Sequence, residues 1–289
     1  MSRNKKISIK KYLLILFCIP IIYSGFHYIK LSTFSGTNKH PERTVIAHRG
    51  AGGEMPENTL AAVKQAMEDK SDYIEIDVHE SKDGAICVMH DRTVNRTTNG
   101  KGKIKNLTWE EIQKLDAGSW FSPKFKNEKV PLLEQVIQAI NGKCKLLIEI
   151  KKGDPYYPDI EEKVVRIIQK HNAQQWCAVQ SFNMDVIEKI HRLDSSLELH
   201  KLEIFVLPSL NFAFDGLPHA FRPDENPYIK AYNVNCFFLS SGIIESIHQS
   251  NKKVNAWTCD SEAVINRMID LKVDGIITNK PRNTIKLIK

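Results

Sequence analysis

Four short stretches carry side chains that could work together. "IAHRG" ends an apolar run with His48 and Arg49, "YIEIDVH" sets Glu75 and Asp77 two residues apart, "ICVMHD" ends in His90 and Asp91, and "LLIEIKK" repeats the two-residue spacing with Glu149 and Lys151. Alternate side chains of an extended strand share one face, so Glu75 and Asp77 point together, as do Glu149 and Lys151 while the strand lasts. Three carboxylates at one place repel unless a cation holds them, and all-oxygen donors suit Mg²⁺ or Ca²⁺ better than zinc. Two histidines nearby would move protons in both directions, and Arg49 offers a planar fork of donors that fits a phosphate. Each stretch alone has a plain reading as a solvated strand end or face. Jointly they describe a site for metal-assisted phosphate chemistry.

Such a site needs elements that bring distant stretches to one end. Strand-like runs are expected at 44–47, 73–78, 85–89, 145–150, 176–180, 197–205, 235–239, 253–257 and 275–278. Helical spacing of apolar residues is expected at 59–69 after an Asn58 cap, and at 132–140, 160–171, 184–193, 242–249 and 262–271. This α/β rhythm predicts a (β/α)8 TIM-type barrel, with an open doubly wound sheet as the second choice, and a parallel barrel collects its chemistry at the C-terminal ends of its strands. One link is irregular. "HESKDGA", between the second and third runs, is too short for a helix and reads as a turn at Asp83-Gly84; residues 206–230 form a second irregular stretch, rich in prolines and aromatics.

The formal charge of +7 first suggests a nucleic-acid partner, but residues 1–30 hold six basic residues and no acid, leaving 35 basic and 34 acidic residues elsewhere. That balance removes the electrostatic footprint of a nucleic-acid binder from the globular part. The same thirty residues combine a basic flank with "YLLILFCIPIIYSGFHYI" and are expected to be a transmembrane signal anchor, the N-terminus cytoplasmic and the rest extracytoplasmic. If the segment is cleaved, the product is secreted or periplasmic. Residues 31–42 read as a linker and 43–289 as the barrel. Cys87, Cys144, Cys177, Cys236 and Cys259 lie mainly in or beside strand-like runs, without metal spacing, and read as small buried hydrophobes. No protein partner is inferred.

Seven motifs in order, "AHRGAGGEMPENTLAA", "YIEIDVHESKDGAICVMHDRTVNRTTNGKG", "LDAGSWFSPKFKNEKVPLLEQV", "LLIEIKK", "VQSFN", "VNAWT" and "GIITNKP", resemble the glycerophosphodiester phosphodiesterases over residues 44–283. The resemblance implies a barrel that uses a divalent cation to hydrolyse glycerophosphodiesters to glycerol 3-phosphate and an alcohol. It makes His48 and His90 the acid/base pair, Arg49 a phosphate ligand, and Glu75, Asp77 and Glu149 the metal ligands. Lys151 is a further phosphate or charge-balancing candidate, and Trp257 with Phe182 could wall the pocket. Glu57 and Asn58 also belong to the first motif, although Asn58 reads equally as the cap of the next helix. Asn279 departs from the pattern, where an acidic residue commonly follows the threonine; pocket charge or loop anchoring is what that would alter. Two rivals are a lysophospholipase D-type enzyme acting on lysophospholipids and a non-catalytic, membrane-tethered binding module. The second should have lost a histidine or a carboxylate, and both histidines and all three carboxylates are present.

Overall fold

Alternation within the strands decides the architecture. In a computed structural model, which describes residues 42–151, 153 and 156–289, eight parallel strands close into a barrel. They are β1 (Thr44–Ala47), β2 (Tyr73–Glu80), β4 (Lys145–Ile150), β5 (Cys177–Ser181), β6 (Glu198–Glu203), β10 (Ile229–Asn235), β11 (Lys253–Trp257) and β12 (Gly275–Thr278). Closure comes from β1, which pairs with β12 on one side (Thr44 beside Gly275) and with β2 on the other (Ile46 beside Tyr73). Ile74, Ile76 and Val78 of β2 and Leu146, Ile148 and Ile150 of β4 face outward into the main apolar core beneath the helices. Their alternates, Glu75, Asp77, Leu147 and Glu149, face the barrel interior. The anchor expected at 1–30 and nearly all of the linker lie outside the described residues. Among the described residues no helix is long and apolar enough to cross a membrane.

The barrel interior is layered. Near its N-terminal end Lys145 Nζ reaches Tyr73 Oη at 2.9 Å and Glu198 Oε2 at 2.8 Å. Above this lie the apolar Ile46, Leu147, Ala178 and Ile277. Next comes a run of buried amides: Asn255 Nδ2 donates to Asn233 Oδ1 (2.8 Å), Asn233 Nδ2 to Gln180 Oε1 (2.7 Å), and Gln180 Nε2 to Glu75 Oε1 (3.1 Å). Buried amides must be paired, and this chain of donors ends on a carboxylate of the site.

The irregular link is a hairpin. Ser81 Oγ donates to Asp83 Oδ1, Gly84 (φ +85°) donates its N–H to Ser81 O, and β3 (Ile86–Val88) returns antiparallel along β2. β3 is therefore not a barrel strand, and it carries Met89 back to Asp77, whose carbonyl accepts the Met89 N–H at 2.9 Å. Residues from Met89 to Val130 then build their own small core, including Val94, Ile104 and Ile112.

Three sequence expectations need correction. The run 235–239 is not a strand: the strand is Ile229–Asn235, and Asn235 Oδ1 accepts the Phe237 N–H in the turn that follows it. The apolar "CFFL" drew the assignment, whereas the true strand hides Asn233 inside the barrel and so looks polar. The run 197–205 ends at Glu203, after which β7 (Phe205–Leu207), β8 (Phe212–Phe214) and β9 (Pro218–His219) form a separate antiparallel sheet within the irregular stretch. That sheet is tied to the barrel by Lys201, whose buried ammonium lies 2.8 Å from Asp215 Oδ2 and 3.3 Å from Glu203 Oε1. Finally, Thr59, not Asn58, caps helix α1 (Leu60–Glu68), its hydroxyl accepting the Ala62 N–H.

Candidate active site

The loop after β1 is shaped by backbone constraints before any chemistry. Arg49 adopts a left-handed conformation (φ +54°), uncommon for a side-chain-bearing residue. The conformation persists because the loop is over-determined: Arg49 N–H donates to Glu75 Oε2 (2.9 Å), Gly50 N–H to Glu75 O (3.0 Å), and Asn58 N–H to Arg49 O (3.0 Å). Gly50 (φ +76°) has no alternative, since a Cβ there would stand 2.8 Å from the Ala62 side chain. Strain in this loop delivers His48 and Arg49 to the C-terminal end of the barrel.

Glu75, Asp77 and Glu149 meet at that end, all buried, each offering an oxygen within 4.8 Å of the others. Lys151 joins them, its Nζ 2.8 Å from Glu149 Oε1 and 3.1 Å from Asp77 Oδ1. Arg49 Nε lies 3.7 Å from Asp77 Oδ2. Burial and mutual repulsion push Glu75 well above the usual carboxylate range, and burial lifts Glu149 to about 7. Asp77 goes the other way: against burial, Lys151, Arg49 and the two histidines hold it far below. Burying an unpaired carboxylate costs several kcal/mol, roughly, even after relaxation. Two cationic side chains stand beside three carboxylates, and the upward push on Glu75 and Glu149 marks negative charge that these two do not compensate. The three carboxylates thus fit a hard divalent cation in number, chemistry and unmet demand.

The histidines flank this group with unlike partners. His48 Nδ1 lies 2.8 Å from Asn279 Oδ1, while Asn279 Nδ2 and N donate to Asp260, each at 2.7 Å. An amide oxygen only accepts, so His48 carries its hydrogen on Nδ1 and a bare lone pair on Nε2. Burial, reinforced by Arg49, pushes its pKa down to about 4. His90 Nδ1 instead lies 2.8 Å from the Asp91 carboxylate. Burial lowers His90 as well, with Asp77 and Asp91 opposing.

One group at the site, Arg96, escaped the sequence reading, and the contacts of Asn58 were only half read. Arg96 donates to both oxygens of Glu57 (2.8 Å each) and to both oxygens of Asp91 (2.9 and 3.1 Å); Glu57 in turn accepts from Arg49 Nη1 at 2.8 Å. This ties the His48 loop to the His90 loop. Asn58 grips Asp77 twice, Nδ2 donating to Oδ2 (2.8 Å) and Oδ1 accepting the Asp77 N–H (3.1 Å). Arg96 had a faint signal as a basic residue five positions beyond Asp91; Asn58 had only its motif, where the cap reading competed. Trp257 stands at the C-terminal end of β11, its indole N–H donating to Asn233 O (2.9 Å) and its ring edge-on to Phe182 at 5.8 Å, so it offers only ring surface to a pocket.

Residues 48–283 match the model of the glycerophosphoryl diester phosphodiesterase family. A glycerophosphodiester phosphodiesterase of Caldanaerobacter subterraneus subsp. tengcongensis is 39% identical over 248 residues, covering 85% of this chain and 97% of the relative. One from Bacillus subtilis is 32% identical over 289 residues, covering 94% of this chain and 96% of the relative. Among solved structures, an Oleispira antarctica phosphodiesterase in complex with the product sn-glycerol-3-phosphate superposes with a TM-score of 0.77 at 25% identity, covering 84% of this chain and 96% of the other. An Agrobacterium tumefaciens glycerophosphodiester phosphodiesterase superposes with a TM-score of 0.70 at 26% identity, covering 84% and 99%. The chain therefore belongs to the glycerophosphoryl diester phosphodiesterase family and is an enzyme of that activity, a phosphoric diester hydrolase.

Proposed function

We propose that the enzyme hydrolyses glycerophosphodiesters to glycerol 3-phosphate and an alcohol, with Glu75, Asp77 and Glu149 holding one divalent cation, Mg²⁺ or Ca²⁺. The observation that carries the proposal is the convergence of three buried carboxylates beside two histidines and Arg49. A cation bound there would polarise the phosphodiester and stabilise its developing negative charge. Arg49 and Lys151 supply fixed positive charge toward the same phosphate. The product complex of the Oleispira relative supports the substrate class.

The unlike partners of the histidines support distinct roles. His48, held by a neutral amide and kept unprotonated, suits the general base, its Nε2 taking the proton from the attacking hydroxyl. His90, backed by a carboxylate that favours imidazolium, suits the general acid, its Nε2–H passing to the departing alkoxide. The attacking hydroxyl belongs either to water or to the glycerol carbon beside the phosphate; the second route forms a cyclic phosphate and gains from intramolecular proximity. Assaying glycerophosphocholine and following phosphorus species by NMR tests both parts. Release of glycerol 3-phosphate supports the reaction, and release of choline phosphate contradicts it.

A second reading draws on exposed apolar residues at the C-terminal side of the barrel. Leu210 and Leu217, in the antiparallel insertion, and Phe237, just after β10, are each more than half exposed. They favour a lysophospholipid as an additional substrate, and turnover of lysophosphatidylcholine against glycerophosphocholine separates the two. For location, the basic flank and apolar run of residues 1–30 support a cytoplasmic N-terminus with the barrel extracytoplasmic. A reporter active only outside the cytoplasm, fused after Lys289, should then work, and one active only inside should not.

A further inference from the structure

One buried ring beside the site has no task in the reaction so far. His79 follows Glu75 and Asp77 on the inward face of β2, by the strand's period of two, and is fully buried. Its Nε2 lies 3.0 Å from the main-chain oxygen of His90, and its Nδ1 lies 3.0 Å from the hydroxyl of Tyr157. A carbonyl only accepts, so Nε2 carries the hydrogen; in the neutral ring Nδ1 then accepts the hydroxyl's proton. Tyr157 is 2% exposed and packs its ring 5.6 Å from that of His79. Both neighbours of the ring are thus fixed.

The consequence falls on the backbone that carries His90. Met89, one residue earlier, donates its N–H to Asp77 O, so the chain is fastened to β2 at Met89 N and again at His90 O. The two bonds lie on either side of the His90 Cα. An apolar residue of similar volume at position 79 would fill the space but leave the His90 carbonyl without its donor and one side of that Cα loose.

We infer that His79 is a positioning residue for His90, oriented in turn by Tyr157, and that it acts on turnover by fixing the His90 imidazole while leaving substrate binding alone. The inference rests on the role proposed for His90, so the test must separate the two. Four variants, H79L, H79Q, Y157F and H90A, with the double variant H79L/H90A, are assayed for kcat and KM on glycerophosphocholine, and on an aryl diester where activity is low.

H79L should lose about tenfold to a hundredfold in kcat with KM changed by no more than about twofold, as misplacing a reacting group does. H79Q places an amide donor where Nε2 stood and should recover to within about threefold of the parent enzyme, and Y157F should lose about fivefold, the effect of one neutral hydrogen bond. H79L/H90A should be no worse than H90A, because a residue acting through His90 has nothing left to place. Parental kcat in H79L, Gln as damaging as Leu, or an equal loss from H79L in the H90A background would each overturn the inference. If H79L does not fold, Y157F and H79Q carry the test, and parental kcat in Y157F overturns the relay. Impaired H90A with unimpaired H79L rejects only the role of His79, whereas parental kcat in H90A rejects the role of His90 and this inference with it.

Discussion

His48 Nδ1 and Asn279 Oδ1 stand 2.8 Å apart, and Asp260 holds Asn279 through two 2.7 Å bonds, so a carboxylate reaches the His48 imidazole only across a neutral amide. The amide fixes the tautomer, and the support it lends the imidazolium is outweighed by burial and by Arg49. With the pKa of His48 near 4, its base form is present at every pH well above that value, so the acidic limb of kcat/KM should lie well below the ordinary histidine range.

Exchanging amide and carboxylate tests that relation. The double variant D260N/N279D keeps the hydrogen bonds but sets a carboxylate directly on His48 Nδ1. A carboxylate there raises the imidazole pKa, and the acidic limb should move up by about one to two pH units. A kcat/KM profile unchanged by the exchange would show that His48 does not set that limb.

Arg96 bridges Glu57 and Asp91 and so spans the loops bearing the two histidines. R96M should cut kcat by about tenfold, and R96K should not restore it, because a lysine lacks the planar fork that reaches both carboxylates. Full activity in R96K, measured by initial rates, would reduce the bridge to simple charge balance.

Much of this was legible in the sequence, and the reason is periodicity. Glu75, Asp77 and Glu149 announced themselves because carboxylates alternating with isoleucines in a barrel strand have only the interior to face. His48 and Arg49 were visible as polar residues at a strand tip. Strand β10 was misplaced because its interior face bears Asn233, and Asn58 was half-missed because a capping residue and a residue clamping Asp77 look the same in one dimension. The pairings of Arg96 with Glu57, of Asn279 with His48 and of His79 with Tyr157 each join residues more than ten apart, and such contacts exist only once the chain has folded.

Asn58 grips Asp77 by both its side-chain oxygen and its main-chain N–H. N58A should leave the fold intact and weaken divalent-cation binding by about tenfold to a hundredfold, the usual cost of removing a group that orients a metal ligand. Metal titration by calorimetry reads this directly, and an unchanged affinity would leave Asn58 as a loop-shaping residue alone.

The two histidines can be told apart by leaving group. H48A and H90A should each lose about 10² to 10⁴-fold on glycerophosphocholine. With an aryl leaving group, whose anion departs without a proton, H90A should recover substantially and H48A should not. The reverse pattern would exchange the two assignments, and equal recovery would argue for a shared task.

The central claim is that Glu75, Asp77 and Glu149 hold a divalent cation on which hydrolysis depends. Its most direct test is turnover of glycerophosphocholine before chelation, after it, and after re-addition of Mg²⁺ or Ca²⁺, for the parent enzyme and for E75Q, D77N and E149Q. The parent enzyme should bind about one ion, lose activity on chelation and regain it on re-addition, while each amide variant folds but binds the ion weakly and turns over at least about a hundredfold more slowly. Full turnover by the rigorously chelated parent enzyme, or by the amide variants, would contradict the account.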